Sequence, residues 1–172
     1  MAAAYEKPRA LVLGHSFVRR LQEFAAQNHS NGPYDQNRGL YYVYSFIFHR
    51  IGGRTVDKMI RNDLDKIRST TPNIVILELG LNDLIDRDSD PETILLSMVA
   101  LAEPLPKEFN LRFIAVCEVI ARHHEPFVGY IEKTVLMNSH VREVTATLQD
   151  RPRADRFSAF VFHINFYKPH IF

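Results

Sequence analysis

Apolar residues along this chain alternate between short continuous runs and longer segments in which they recur every three or four positions. Continuous apolar runs are typical of buried strands, and the three-to-four spacing is typical of amphipathic helices. The predicted strands are 9–14, 41–48, 73–79, 111–117 and 157–162. A helical segment lies between each pair of strands, so the predicted order is βαβαβαβαβ. This order predicts an α/β fold with a parallel five-stranded sheet, right-handed crossovers and helices on both faces.

The second and third helices carry their own start signals. Thr55 is predicted to cap a helix whose apolar face runs from Val56 to Ile67. Asp90, followed by Pro91 and then by Glu92, is typical of a helix start, because proline fits the first turn and an acid is stabilised by the helix dipole.

Length and composition fit one compact soluble domain spanning residues 1–172. The chain has 21 basic and 20 acidic residues, and this near-neutral balance does not support nucleic-acid binding. Cys117 is the single cysteine, so no internal disulfide can form. No signal-peptide core is present at the N-terminus, and no apolar run approaches the roughly 20 residues of a membrane helix. A cytoplasmic location is the expectation.

Polar or glycine-rich segments follow three of the predicted strands directly. They are 14–16 after the first strand, 52–55 after the second and 80–83 after the third. In open parallel sheets, ligands bind beyond the carboxyl ends of the strands. The sequence therefore predicts a ligand site in which these three segments meet.

Each segment offers a hydrogen-bond donor that suits a developing negative charge. Ser16 would lie in a tight strand-to-helix turn, with its backbone N–H at a helix N-terminus. Gly53 permits close backbone approach and a second N–H, and Asn82 offers a side-chain amide. Such donors are what an oxyanion hole requires.

The same residues resemble the blocks that name the SGNH, or GDSL-like, hydrolases. Gly14-His15-Ser16 resembles the family's Gly-Asp-Ser, Gly53 matches the glycine of the second block, and Gly80-Leu81-Asn82-Asp83 matches Gly-x-Asn-Asp in full. The resemblance covers residues 10–147. It implies a flavodoxin-like α/β/α sandwich and an esterase in which Ser16 is the nucleophile and Asn82 an oxyanion donor.

The last block departs from the family pattern, which ends in Asp-x-x-His. The best match to the general-base histidine is His163, with His170 as the fallback. Position 160, where the family has its aspartate, is Phe160. The chain also stops nine residues after His163, where the family adds a closing helix. Truncation, alternative splicing and decay of this end are the interpretations left open.

Three functions remain as hypotheses. The first is a serine esterase acting on small acyl esters, in which Ser16 attacks the carbonyl, His163 transfers the proton, and no cofactor takes part. Its expected partner is a small-molecule ester substrate. The second is a catalytically impaired descendant that keeps the pocket as a ligand-binding or interaction domain. The third, a nucleotide-binding flavodoxin-like protein, is disfavoured because the chain lacks a Gly-x-x-x-x-Gly-Lys loop.

Several of these residues also have simpler structural interpretations. Ser16 could cap a helix, His15 is expected to brace neighbouring loops, and Asp83 is expected to support its own loop. No metal site is expected at residues 123–125, a His-His-Glu run, because adjacent side chains point in different directions and no ligand-spaced partner follows.

Overall fold

The computed structural model describes residues 6–27, 43–122, 124–149 and 159–160, and at 24–27, 145–149 and 159–160 it describes the backbone alone. The elements in chain order are β1 (Arg9–Gly14), α1 (Ser16–Gln27), β2 (Ser45–Arg50), α2 (Val56–Asn62), α3 (Leu64–Thr70), β3 (Ile74–Glu78), α4 (Pro91–Ala102), α5 (Leu105–Glu108), β4 (Phe113–Val116), α6 (Tyr130–Gln149) and β5 (Ala159–Phe160).

The strands form one parallel sheet in the order β2-β1-β3-β4-β5. The predicted α/β class with a parallel sheet is therefore confirmed. Four strands span four to six residues each, whereas β5 is described only at Ala159 and Phe160, which pair with β4. The rest of the predicted segment 157–162 lies outside the described residues.

Helices cover the sheet in two layers because β1 has neighbours on both sides. Right-handed crossovers run from β1 to β2 in one direction and from β2 across to β3 in the other. Consequently α1 packs on β1 and β2 from one face, while α2, α4 and α6 form a contiguous layer on the opposite face. The apolar strands β1 and β3 are buried between these layers, as parallel strands normally are.

The hydrophobic core lies between the sheet and the layer of α2, α4 and α6. Leu11 and Leu13 from β1 and Leu77 from β3 are fully buried there. Met59, Met98 and Met137 bring one buried side chain from each of the three helices. The periodic apolar positions of the sequence are thus the ones that meet the sheet.

The prediction of a single helix through Val56 and Ile67 was wrong, because the segment forms two helices that meet at Asp63. Thr55 does cap the first of them, accepting a hydrogen bond from the Lys58 N–H. Asp63 breaks the helix because its carboxylate turns inward to a buried arginine, and aspartate is a weak helix former. An apolar stripe does not reveal such an inward polar contact.

The second strand occupies Ser45–Arg50 rather than 41–48, of which 41–42 lie outside the described residues. This strand is at the sheet edge, and its residues are only partly buried. His49 and Arg50 pair with Leu13 and Gly14 of β1 although they are polar. An edge strand does not need a continuous apolar run, so the hydrophobic pattern located its end poorly.

Gly14 ends β1 in contact with the backbone of β3. A Cβ at this position would lie 2.5 Å from the Glu78 carbonyl oxygen and 2.6 Å from Cγ2 of Val18. The first of these atoms belongs to the backbone of a paired strand and cannot move aside. Only a glycine therefore allows β1 and β3 to close against each other at their carboxyl ends.

Replacement of Gly14 by alanine should lower the free energy of unfolding by about 3 kcal/mol, the upper end of the usual penalty for overpacking, because a backbone atom blocks relaxation. Urea titration followed by circular dichroism measures this loss. Gly52→Ala is the matched control, since its Cβ would meet no atom within 4 Å, and it should change stability by no more than about 0.5 kcal/mol. Equal losses in the two variants would refute the steric explanation.

Candidate active site

The carboxyl ends of the three strands β2, β1 and β3 finish at one level of the sheet. Gly14 is in register with Arg50 on one side and with Glu78 on the other. The three segments that the sequence singled out begin within two residues of this level. Strand register therefore brings all three to the same edge.

Hydrogen bonds then link the three segments to one another. The Ile51 N–H donates to the Gly14 carbonyl at 3.0 Å, which ties the residue before the second segment to the first segment. The Asn82 side chain donates from Nδ2 to the Arg54 carbonyl at 2.8 Å, which ties the third segment to the second. The predicted convergence of the segments is thus visible in their contacts.

Ser16 is the first residue of α1, and its side chain is exposed. The residue before it does the capping: the His15 carbonyl accepts from the Val18 N–H at 3.1 Å, and His15 Nδ1 accepts from the Phe17 N–H at 3.3 Å. His15, and not Ser16, therefore caps the helix. Ser16 lies in the first turn, where backbone N–H groups have no acceptor within the helix. Within the described residues its hydroxyl has no hydrogen-bond partner, so it is available to a ligand.

His15 is fully buried and faces Glu78, not a loop as the sequence suggested. Its Nδ1 accepts the Phe17 N–H, which leaves the ring proton on Nε2. Nε2 lies 3.0 Å from Oε1 of Glu78, at ion-pair distance but without the alignment of a hydrogen bond. The contact links the residue that precedes α1 to the last residue of β3.

The Glu78 carboxylate also affects the only cysteine of the chain. Burial, and then the nearby negative charge of Glu78, raise the pKa of the Cys117 thiol to about 12. A thiol in this state is almost entirely protonated at neutral pH and is a weak nucleophile. Cys117 is therefore a packing residue next to the site.

Gly53 occupies an exposed turn after β2 with φ of +66°. This left-handed conformation disfavours side chains, although a Cβ here would meet no atom within 4 Å. The Lys58 ammonium donates to the Gly53 carbonyl at 3.3 Å. The turn therefore leaves the Gly53 backbone exposed, just beyond the carboxyl end of β2.

A buried ion pair holds the residue after Gly53. Arg54 Nε lies 2.7 Å from Oδ2 of Asp63, and Arg54 Nη2 donates to Oδ1 at 2.8 Å. Both side chains are almost completely buried, and His49 Nε2 lies 3.3 Å from Oδ1 of the same carboxylate. Because Arg54 is anchored in this way, its carbonyl is a fixed acceptor for Asn82.

Asn82 makes a second contact through its amide oxygen. Arg122, in the segment after β4, donates from Nη2 to Oδ1 of Asn82 at 3.1 Å. The amide therefore uses its oxygen and one of its two N–H groups in the scaffold, which leaves the second N–H for a ligand.

Asp83 supports the neighbouring segment. Its carboxylate accepts the N–H of Val56, the first residue of α2, with its oxygens at 3.2 and 3.4 Å. Burial raises the pKa of this carboxyl above its ordinary value, and the Val56 N–H opposes the shift. Asp83 therefore has a structural contact, as expected, but with the start of α2 and not only within its own loop.

Several predicted residues lie outside the described part of the chain. His163, the predicted base, and His170, its fallback, are among them, so both stay predictions. His123 is also outside this part. Among the residues that the structure describes, no cluster of three metal-ligating side chains occurs.

Sequence reasoning missed three charged residues at the site: Glu78, Arg54 and Arg122. A signal existed for Glu78, because it is the one charge in an otherwise apolar strand segment, 74–79. No sequence pattern marks the other two, since their partners are 9 and 40 residues away.

Comparison with known proteins identifies the fold. No protein-family model matches the chain, and no curated protein matches it in sequence. Solved structures do match: a carbohydrate esterase family 3 protein from Talaromyces cellulolyticus has 16% identity and a TM-score of 0.64, covering 90% of this chain and 78% of that one. A GDSL-like lipase from Bacteroides thetaiotaomicron has 15% identity and a TM-score of 0.62, with coverage of 91% and 72%.

The acetyl xylan esterase AlAXEase is also similar, with 17% identity and a TM-score of 0.55, covering 78% of this chain and 73% of that one. The chain therefore has the fold of the GDSL-like, or SGNH, esterases and lipases, as the resemblance in its motifs predicts. No helix within the described residues is long and apolar enough to span a membrane.

The raised pKa of Asp83 predicts a specific pH dependence of stability. The folded protein binds this proton more tightly than the unfolded chain, so the free energy of unfolding falls as pH rises from the ordinary value of 3.8 to the raised one. Asp83→Asn keeps an oxygen for the Val56 N–H but removes the titration, so the slope in this window should become less negative. Urea titrations across that range measure it.

Asp88→Asn, at an exposed carboxylate, controls for the loss of one negative charge. Near neutral pH, Asp83→Asn should be no less stable than the wild type, because the desolvated charge is gone. A loss there of more than about 1 kcal/mol, the size of one hydrogen bond, would contradict this account.

Proposed function

We propose that this protein is a serine ester hydrolase that cleaves small acyl esters through an acyl-enzyme. One observation carries the proposal: strand register and the bonds between the segments bring Ser16, Gly53 and Asn82 to one edge of the sheet. The esterases and lipases that share this fold support it. An exposed serine at a helix N-terminus is a suitable nucleophile for such a reaction.

In the proposed first step, the Ser16 hydroxyl attacks the ester carbonyl while His163 accepts its proton. The carbonyl π electrons move to oxygen, and the tetrahedral oxyanion then expels the alcohol, which takes its proton from His163. Water attacks the resulting acyl-enzyme in the same way and releases the carboxylic acid and free Ser16. Every proton that His163 accepts is returned, so no cofactor is required.

The oxyanion would be held by the N–H of Ser16, the N–H of Gly53 and the free N–H of the Asn82 amide. Two are backbone groups and the third is fixed by two hydrogen bonds, so little reorganisation is needed as charge develops. Loss of one such donor typically lowers kcat by about 100- to 1,000-fold.

The exposure of Ser16 at the sheet edge favours a small acyl group. One protein of the same fold is an acetyl xylan esterase, which acts on an acetylated substrate. Acetyl esters are therefore the first substrates to test.

A catalytically impaired binding domain is the second candidate, and position 160 favours it. Phe160 stands in β5, in register with Ala115, where the family motif has the aspartate that orients the base. Loss of that carboxylate from a serine protease lowered kcat by about 10⁴-fold. Turnover of an ester and covalent labelling of Ser16 distinguish a slow enzyme from an inactive one.

The first test uses p-nitrophenyl acetate and a fluorophosphonate probe on the full chain. Ser16→Ala should abolish turnover above the uncatalysed rate and should abolish labelling, because the probe forms a covalent bond with an activated serine. Ser69→Ala, at an exposed serine on α3, is the matched control and should retain both. Equal hydrolysis by the wild type and Ser16→Ala would end the proposal.

The second test addresses the base. His163→Asn should lower kcat by about 100- to 10,000-fold, the usual contribution of general base catalysis, with circular dichroism unchanged. The pH profile of the wild type should rise through the titration of one histidine, and this limb should be absent from the variant. If His170→Asn shows the loss and His163→Asn does not, the base is His170.

A further inference from the structure

Arg122 lies outside the three segments that define the proposed site, yet it contacts one of the predicted oxyanion donors. It follows β4, the strand next to β3, so its backbone comes from a fourth strand end. Its guanidinium is half-buried and donates from Nη2 to Oδ1 of Asn82. Neither the motifs nor the proposed mechanism gives this residue a role.

The two partners of Asn82 fix which way its amide points. A guanidinium has only donors, and the Arg54 carbonyl is only an acceptor. Rotation of the amide by half a turn would place its NH₂ group against Arg122 and its oxygen against the Arg54 carbonyl, two repulsive contacts. One orientation is therefore selected, and in it the second N–H of Asn82 stays available.

Arg122 also brings a positive charge that no neighbouring acid neutralises. Within the described residues, no carboxylate forms an ion pair with it. Burial raises the pKa of the nearby Tyr130 hydroxyl, and the backbone and then the charge of Arg122 oppose that shift. A guanidinium that donates to an amide oxygen draws electron density from the amide, which strengthens the remaining N–H as a donor.

We propose that Arg122 is a positioning residue for the oxyanion hole: it sets the orientation of the Asn82 amide and strengthens the N–H that Asn82 offers to the oxyanion. The inference rests on the proposed ester hydrolysis. Because the oxyanion exists only after attack, loss of Arg122 affects the transition state more than the bound substrate.

Steady-state kinetics with p-nitrophenyl acetate provide the first test. Arg122→Ala should lower kcat by about 10- to 100-fold, less than the loss of the donor itself, and leave KM within about twofold. The Asn82→Ala, Arg122→Ala double variant should be no slower than Asn82→Ala, because Arg122 acts through Asn82. Additive losses, or a rise in KM alone, would overturn the proposal.

Arg112→Ala is the matched control. Arg112 precedes β4 at the opposite end of the same strand, where its guanidinium packs over the Phe113 ring, so its loss should not change kcat. Guanidinium chloride, below the concentration that unfolds the protein, should restore part of the activity of Arg122→Ala and none of Asn82→Ala. Absence of rescue, with a folded variant, counts against a role for the charge.

Arg122→Gln covers the case in which the alanine variant fails to fold. It keeps a neutral donor, so it should preserve the amide orientation while losing the polarising charge. Its kcat should lie between those of the wild type and Arg122→Ala, or below the wild type if only the glutamine variant folds. A glutamine variant as active as the wild type would show that the charge has no effect.

NMR gives a readout that needs no turnover. In the wild type, the side-chain NH₂ protons of Asn82 should give nuclear Overhauser effects to the backbone of Arg54 and its neighbour Thr55, and Arg122→Ala should weaken them, whereas Arg112→Ala should not. If the wild type neither hydrolyses esters nor reacts with the fluorophosphonate, the proposed function fails, and these spectra still decide whether Arg122 orients the amide. Unchanged spectra in Arg122→Ala would overturn the inference by themselves.

Discussion

The close packing of Gly14 against the carbonyl of Glu78, which leaves no space for a Cβ, is the constraint on which the rest of the site depends. Strand β1 lies between β2 and β3 and is bonded to both, so its position sets the register of both. A side chain at Gly14 would separate β1 from β3 at the end where the chain turns toward Ser16. The common level of the three following segments is therefore a consequence of one missing Cβ.

Above the strand ends, side chains connect the backbone of one segment to the side chains of the next. Asn82 bonds the Arg54 carbonyl, Asp83 bonds the Val56 N–H, and His15 takes the Phe17 N–H. Each bond satisfies a polar group near a helix start or a turn, where regular secondary structure offers no partner. These bonds order the loops. None of them uses the first-turn N–H of Ser16 or the N–H of Gly53.

Buried charge accompanies this arrangement. Arg54 is held by Asp63, and His15 faces Glu78, whereas the Arg122 guanidinium donates to the neutral Asn82 amide. Removing one partner of a buried ion pair generally costs more than the pair contributes, because an unpaired charge remains. Replacing one of these residues is therefore expected to affect the stability of the fold as well as any activity.

Local signals predicted the elements that local interactions specify. The apolar run of β1 and the start of α4 at Pro91 were identified because burial on both faces and the preferences of the first helical turn act within a few residues. Motif resemblance placed Ser16, Gly53 and Asn82 at one sheet edge, although their roles in chemistry stay predictions.

Contacts between distant residues were not predictable in this way. The break at Asp63 comes from a buried arginine on the preceding loop, and the edge position of β2 removes the apolar run on which strand detection relies. Arg122 reaches Asn82 only because β4 lies next to β3. Such residues come into contact only when the sheet has formed, so no local pattern in a single sequence identifies the pairs.

Cys117 has a practical consequence for work with this protein. It is the only cysteine of the chain, it is buried, and its thiol stays protonated at ordinary pH. Reagents that react with thiolates should leave the folded protein unmodified. A cysteine introduced at an exposed position would then be the one reactive thiol, so spectroscopic labels could be attached at a chosen point without first replacing the native residue.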